Sequence, residues 1–333
     1  MVGLSGAGSL PKITIKARLK RISRSFRIVV FALPGFAYDY YRFARYAGYQ
    51  NFLKDEEKRD YKAVKIYHRL EKSLSFKNRR EGAGLQAAEE LISLLGHVNG
   101  TKKLGFQESV AINVLNKFFS ESDVQNVNYR HPDLADGVSP DVGGVRHVDA
   151  ESLAKGCLPD PEEFFFSRCS VREFSDRPVK QEIVKRAVSL ALKTPSVCNR
   201  QAWFVYHIDD QSIIGRCLEL QNGNSGFGHK IKSLLIITSD LKAFDTGSER
   251  YQHWIDGGMF SMSLVYALHS LGVASCCLNW SKVVRDNIRI RKRLPIEPHH
   301  TIIMMLAIGY PSSNIKVCYS ARRPLENVYR YFG

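Results

Sequence analysis

The sequence predicts a mainly helical N-terminal part followed by a domain in which helices and strands alternate. Before residue 120, apolar residues recur at helical spacing, most clearly over 55–74, 86–95 and 107–119. After residue 160, short apolar and β-branched runs are separated by helical stretches, which indicates a sheet domain of the α/β or α+β class. With 333 residues, 44% of them hydrophobic, the chain is long enough for two domains with full cores.

Residues 121–160 contain prolines and glycines with little periodicity, which is typical of a linker. The predicted division is therefore a helical domain over 1–120, this linker, and a sheet domain over 161–333. Within the sheet domain we expect helices over 180–192 and 254–271, and strands over 202–208, 231–238, 274–278 and 301–308.

A basic segment near the N-terminus has two interpretations. Residues 12–27 contain seven basic residues and no acidic one, and an aromatic-rich stretch follows over 31–52. The segment could make a peripheral contact with an anionic membrane. The alternative, which helical spacing favours, is a helix whose basic residues face water while a stripe is buried. That stripe would consist of Phe36, Tyr40, Phe43 and Ala47.

Composition limits the classes of function. The formal net charge of +15 favours anionic partners, but the chain has no helix-turn-helix spacing, RNP-like strand or zinc motif, so nucleic acid is not an expected partner. The seven cysteines all follow residue 156 and form neither a CxxC pair nor a metal-like spacing with histidine. We therefore expect reduced thiols, a cytoplasmic location and no metal site. No run of about 18 apolar residues predicts a membrane-spanning helix.

The segment FFFSRCSVREF contains two arginines and two serines at close spacing. Arg168 and Arg172 are four residues apart with Ser170 between them, so a helical turn would place both guanidiniums on one side. Arginine is a forked, permanently charged donor that suits a phosphate. A phosphate site and a solvated basic surface are both compatible with these residues alone.

A second polar cluster, TPSVCNRQAW over residues 194–203, ends a predicted helix and enters a predicted strand. Asn199 and Gln201 each offer a donor and an acceptor, which suits the edge of a heterocycle or a sugar-like chain. A simple turn would need only Pro195 and Ser196.

In this order, the two elements resemble the nitroreductase family of FMN-dependent oxidoreductases, which have R-x-S-x-R and P-S-x-x-N-x-Q-x-W elements. The resemblance continues over roughly residues 160–333. Its further elements are Gly223-Asn224-Ser225-Gly226-Phe227, a long central helix beginning at Trp254, the strand Ser275-Cys276-Cys277-Leu278-Asn279-Trp280, Gly309-Tyr310-Pro311, and the basic pair Arg322-Arg323.

The chain departs from the family pattern at several positions. Cys169 replaces an arginine that is common in the first element, and Ala202 replaces the usual proline before the tryptophan. Met262 and Ser263 stand where a Gln-Asn pair is frequent. Ser320 stands where some members have a lysine, which leaves open whether Arg322 or Arg323 contacts the phosphate.

The resemblance implies an α+β fold, with a mixed sheet flanked by helices, and an enzyme that passes a hydride from NADH or NADPH through flavin N5 to a small organic acceptor such as a nitroaromatic or a quinone. It implies a homodimer with FMN at the interface. The implied phosphate contacts are Arg168, Ser170 and Arg322 or Arg323, with Arg172 nearer the ring. Further implied cofactor-binding residues are Pro195, Ser196, Asn199, Gln201, Asn224, Cys277, Leu278 and Asn279.

The first 150 residues are additional to the usual length of the family. Residues 68–84 resemble a segment of nitroreductase-like proteins encoded with bacterial polysaccharide biosynthesis genes. This addition motivates an alternative function, a flavoprotein without independent turnover that acts as a docking or membrane-surface component of an assembly.

Overall fold

A computed structural model describes residues 15–97, 104–121, 138–139 and 141–333 of the chain. The N-terminal part is helical, as the sequence predicts. Asp55 caps the second helix by accepting a hydrogen bond from the Lys58 amide at 3.2 Å. The helices of this part are α1 (Ile15–Tyr46), α2 (Glu56–Ser75), α3 (Leu85–Gly96) and α4 (Phe106–Ser120).

Helices α2, α3 and α4 each bury an apolar face in one common core. Its members include Val64, Leu70, Leu91, Leu115 and Phe118. A buried ion pair also joins α2 to α4, with 2.5 Å between Arg59 Nε and Glu108 Oε1.

Helix α1 runs through Pro34 and differs from the expected buried stripe. Phe36 and Tyr40 are 69% and 76% exposed, so the stripe is wrong at these two residues, while Phe43 and Ala47 are half-buried. The buried contact of this helix comes from the opposite side, where Arg42 donates to the carbonyl oxygens of Pro298 and His300. The basic side chains of residues 12–27 lie outside the described part of the chain.

The second half contains a four-stranded sheet with the order β1-β2-β4-β3, in which every neighbouring pair is antiparallel. A single parallel bridge joins Ser170 to Ser275 at the outer edge of β3. The predicted α+β class is confirmed. Its strands are β1 (Trp203–Ile208), β2 (Ser233–Asp240), β3 (Ala274–Asn279) and β4 (His300–Gly309), and its helices are α5 (Ala150–Ala154), α6 (Pro161–Ser167), α7 (Gln181–Ala191), α8 (Gln211–Leu218), α9 (Gln252–Ser270) and α10 (Val284–Arg293).

Both faces of the sheet are covered, which is why β2 is buried along its whole length. On one face, α9 packs through Phe260, Leu264 and Leu268. On the other face, Ile214 of α8 and Ile290 of α10 belong to a second apolar cluster. The central strands are therefore fixed by packing, and β3 keeps a free edge apart from the Ser170 bridge within the described chain.

The two halves are in contact through charged and backbone groups. Lys242 lies between Asp55 and Glu57 of the helical part, and the Gly48 amide donates to the Phe244 carbonyl oxygen at 2.7 Å. The predicted domain division with a linker over 121–160 stays a prediction, because residues 122–137 and 140 lie outside the described chain. Within its described part, the predicted linker contains the short helix α5.

Candidate functional site

The segment Arg168 to Arg172 is extended rather than helical. It follows the end of α6, and the Val171 amide donates to the Ser275 carbonyl oxygen at 3.1 Å. The expected helical turn is therefore wrong. In an extended chain, side chains alternate between two sides. Val171 is buried, whereas Arg172 is exposed and Arg168 and Ser170 are half-buried.

The C-terminal segment returns to this extended segment. The Ser312 amide donates to the Glu173 carbonyl oxygen at 3.0 Å, and Arg172 Nη1 lies 3.6 Å from the Cys318 sulfur. Arg172 also lies over the Phe227 ring, 6.0 Å from its centroid. Further along, the hydrogen bonds of Arg322 and Arg323 go to carbonyls of their own segment, at Ser320 and Asn327. These two arginines are exposed, and the question of which one contacts a phosphate stays open.

The loop between α7 and β1 has an unusual backbone. Cys198, Asn199 and Gln201 have φ angles of 49°, 54° and 52°, in the left-handed region that non-glycine residues seldom adopt. Within the loop, the Ser196 hydroxyl accepts from the Gln201 amide at 3.0 Å, and the Gln201 side chain donates to the Asn199 carbonyl oxygen at 3.2 Å. These hydrogen bonds stabilise the unusual backbone of the loop. They connect predicted polar residues that follow Pro195.

Asn224 lies in a tight turn, and its side-chain NH2 is used locally. It donates to the carbonyl oxygens of Leu218 and Gln221 at 2.8 and 2.7 Å. Gln221, which the sequence did not single out, instead reaches the end of β3 and donates to the Asn279 carbonyl oxygen at 3.1 Å. Through these hydrogen bonds, Asn224 stabilises the turn from which the Gln221 side chain reaches the end of β3.

At the free edge of β3, every second residue directs its backbone N–H and C=O groups away from β4. Because the Ser275 carbonyl points outward to Val171, strand alternation directs the backbone groups of Cys277 and Asn279 to the same edge. Leu278 is buried and its amide faces β4. Of the three predicted cofactor-binding residues of this strand, Cys277 and Asn279 therefore direct their backbone amides outward, and Leu278 does not. Burial raises the pKa of the neighbouring Cys276, which favours its thiol form and a packing role.

Two cavities border these residues. One of about 280 Å³ adjoins Arg168, Ser275 and His269. The other, of about 590 Å³, lies between α1 and the ends of β3 and β4, next to Asn279. Its lining includes the aromatic side chains of Phe36, Tyr38, Trp254 and Trp280, together with Lys282.

A family comparison covers the first part of this site. Residues 166–224 match the model of the Nitroreductase family. This match covers part of the sheet domain. The matched segment contains both the extended arginine segment and the strained loop, so the two elements that the sequence singles out lie inside the family match.

Individual relatives match about half of the chain. A Methanothermobacter thermautotrophicus protein, provisionally named NADH dehydrogenase/NAD(P)H nitroreductase, is 24% identical over 173 residues, which cover 50% of this chain and 84% of that protein. An iodotyrosine deiodinase of Hydra vulgaris is 21% identical over 194 residues, which cover 50% and 71%. The solved structure of an FMN-dependent nitroreductase from Clostridium difficile R20291 is 18% identical, with a TM-score of 0.44, over 51% of this chain and 98% of that chain.

Proposed function

We propose that the sheet domain is an FMN-dependent oxidoreductase that moves a hydride from NADH or NADPH to a small organic acceptor. The family match over residues 166–224 is the observation that supports this most directly. When bound, FMN supplies the atom that accepts and then donates the hydride. The residues of the chain bind the cofactor, orient its ring and separate it from water.

The hydrogen-bond donors of this site suit FMN. The extended segment carries two guanidiniums and a hydroxyl, from Arg168, Arg172 and Ser170, and these groups can bind a phosphate and an electron-rich ring edge. The amides of Cys277 and Asn279 lie at a strand edge where, among the described residues, they have no strand partner, which suits a polar ring atom. We assign ribityl or ring contacts to Ser196, Asn199 and Gln201.

Binding of FMN tests this assignment. Replacing Arg168 by Gln removes the charge and the forked donor, so we expect the Kd for FMN to rise about tenfold or more in a fluorescence titration. The matched control is Arg186→Gln, since Arg186 is an exposed arginine of α7. Equal FMN affinity in the two variants would contradict the phosphate assignment.

We propose that the acceptor binds in the 590 Å³ cavity beside Asn279. Its volume lies in the usual range for small-molecule sites, and aromatic rings from α1 and from the sheet domain line it. Planar aromatic acceptors, such as quinones and nitroaromatics, suit this lining. Tyr38→Ala, at a lining residue of α1, is expected to raise the KM for a quinone without changing FMN affinity. An unchanged KM would place the acceptor elsewhere.

We also propose a homodimer built on the exposed side of α9. Ile255 is 51% exposed there, and Met259 and Met262 are 38% and 39% exposed. Together with Trp254, they form a nearly continuous apolar strip. The family resemblance implies that the second subunit covers this strip and that FMN lies at the interface.

A further proposal concerns α1, because much of its apolar surface is not covered by other described residues. Phe26, Val29, Leu33, Phe36 and Tyr40 are all exposed and recur every three or four residues. The first of them, Phe26, lies within the basic segment 12–27, which has no acidic residue, and the others follow that segment. Among the described helices, none is apolar enough over sufficient length to cross a bilayer. We propose that a cytoplasmic form of the protein uses this helix to lie on an anionic membrane surface.

Vesicle sedimentation tests the membrane proposal. The protein is expected to pellet with vesicles containing anionic phosphatidylserine at low salt and to stay in solution with neutral vesicles. Phe26→Asp should reduce pelleting, whereas Phe76→Asp, at a similarly exposed phenylalanine outside α1, should not. Absence of pelleting with anionic vesicles would contradict the proposal. The association of residues 68–84 with polysaccharide biosynthesis stays a prediction.

A further inference from the structure

Three left-handed residues in four consecutive positions make the loop before β1 intrinsically unfavourable. Cys198, Asn199 and Gln201 are not glycines, and such backbone persists only where surrounding contacts enforce it. The same residues are those proposed to meet the flavin. The contacts that enforce the loop therefore set the geometry of the cofactor site.

Arg200, between Asn199 and Gln201, is the main source of these contacts. Its side chain is fully buried. Its Nε donates to the Val197 carbonyl oxygen at 3.1 Å, which fixes the start of the loop. Its two terminal nitrogens bind both oxygens of Glu249, at 2.9 and 2.7 Å, and Nη1 also donates to the Ala243 carbonyl oxygen at 2.7 Å.

The helical part of the chain completes this arrangement through Tyr49. The Tyr49 hydroxyl donates to the same Ala243 carbonyl oxygen at 3.0 Å and lies 3.5 Å from Arg200 Nη1. Lys65 of α2 binds Asp245 at 2.8 Å, and the Asp245 amide in turn donates to Glu249 at 2.7 Å. One network thus connects the helical part, residues 243–249 and the strained loop.

We propose that Arg200 is a positioning residue for the cofactor loop, and that the helical N-terminal part supports it through Tyr49. This inference rests on the proposed FMN function. Arg200 holds the backbone in the conformation that presents Asn199 and Gln201, so that FMN meets a loop already in place. An added helical region can in this way raise cofactor affinity without touching the cofactor.

The test compares FMN binding in conservative variants of the full-length protein. Arg200→Lys keeps the charge but loses the fork that joins Val197, Ala243 and Glu249, so we expect the Kd for FMN to rise about tenfold or more. Tyr49→Phe removes one hydroxyl and is expected to raise Kd by about threefold to tenfold. Both variants should also alter the visible circular dichroism of bound FMN, which reports the orientation of the ring.

Tyr67→Phe is the matched control, because Tyr67 is a buried tyrosine of α2 whose hydroxyl binds Gln107 outside the network. It should leave FMN affinity and the dichroism band unchanged. Wild-type affinity and spectrum in Tyr49→Phe and Arg200→Lys would overturn the proposal, as would an equal loss in Tyr67→Phe. If Arg200→Lys fails to fold, Tyr49→Phe decides alone. Failure of the wild-type protein to bind FMN would instead overturn the proposed function, and this inference with it.

Discussion

His253 is a buried imidazole surrounded by the rings of Phe43, Phe244 and Trp254. Burial, with a smaller contribution from Arg42, lowers its pKa from 6.5 to about 3, and burial likewise lowers the pKa of His300 to about 4. Both side chains are thus neutral in the folded protein. Between these values and 6.5, the unfolded chain binds more protons than the folded one. The free energy of unfolding must therefore fall as the pH falls through this window.

The pH dependence of the unfolding free energy tests whether individual buried histidines are neutral. Removing one such histidine, by His253→Leu, is expected to reduce the slope of unfolding free energy against pH by up to about 1.4 kcal/mol per pH unit below about pH 6. Urea denaturation at a series of pH values measures the slope. His97→Leu, at an exposed histidine, is the control. A slope unchanged by His253→Leu would contradict a buried neutral His253.

Residue types in the proposed site were predictable, but several of their roles were not. Arg168, Ser170, Asn199 and Gln201 stand out in the sequence because of their donors and spacing. Asn224 stands out equally, yet its amide is used within its own turn. Arg200 appears in the sequence as one more surface arginine, because nothing local reveals that its partner Glu249 follows 49 residues later. A role that depends on a partner distant in the sequence can be identified only when the fold is known.

At the scale of elements, α2 and α4 are joined by the buried pair Arg59 and Glu108. Glu108→Ala would leave the Arg59 guanidinium buried without its carboxylate and would also remove an acceptor of the Gly105 amide. We expect a loss of about 3–5 kcal/mol in unfolding free energy by urea denaturation. Glu90→Ala is the matched control, since Glu90 pairs with Arg69 at the surface and should contribute less than about 1 kcal/mol. Equal losses would contradict a buried structural pair.

The elements themselves follow largely from sequence periodicity, and the exceptions have physical reasons. The predicted helices over 55–74 and 107–119 agree closely with α2 and α4, because each has one apolar face and a clear start. Helix α1 has apolar residues on more than one side, so the spacing of its aromatic residues does not indicate which side contacts the sheet domain. The spacing of Arg168 and Arg172 is compatible with both a helical turn and an extended strand. The segment is extended because Ser170 pairs with Ser275, which is distant in sequence.

For the whole molecule, the proposed homodimer predicts that α9 controls assembly. A glutamate at Met259 would place a charge in the centre of the proposed interface, so Met259→Glu should convert the dimer to a monomer in light scattering and weaken FMN binding together with it. Leu190→Glu, at an exposed leucine of α7, should leave the mass unchanged. A wild-type monomer that binds FMN fully would contradict an interfacial site.

The most direct measurement is the anaerobic reduction of the FMN-loaded protein by NADH and by NADPH. We expect the visible absorbance of the bound flavin to disappear with at least one donor and to return when a quinone is added. Protein that binds FMN but keeps its absorbance with both donors would contradict the proposed oxidoreductase, and would instead support a flavoprotein without independent turnover.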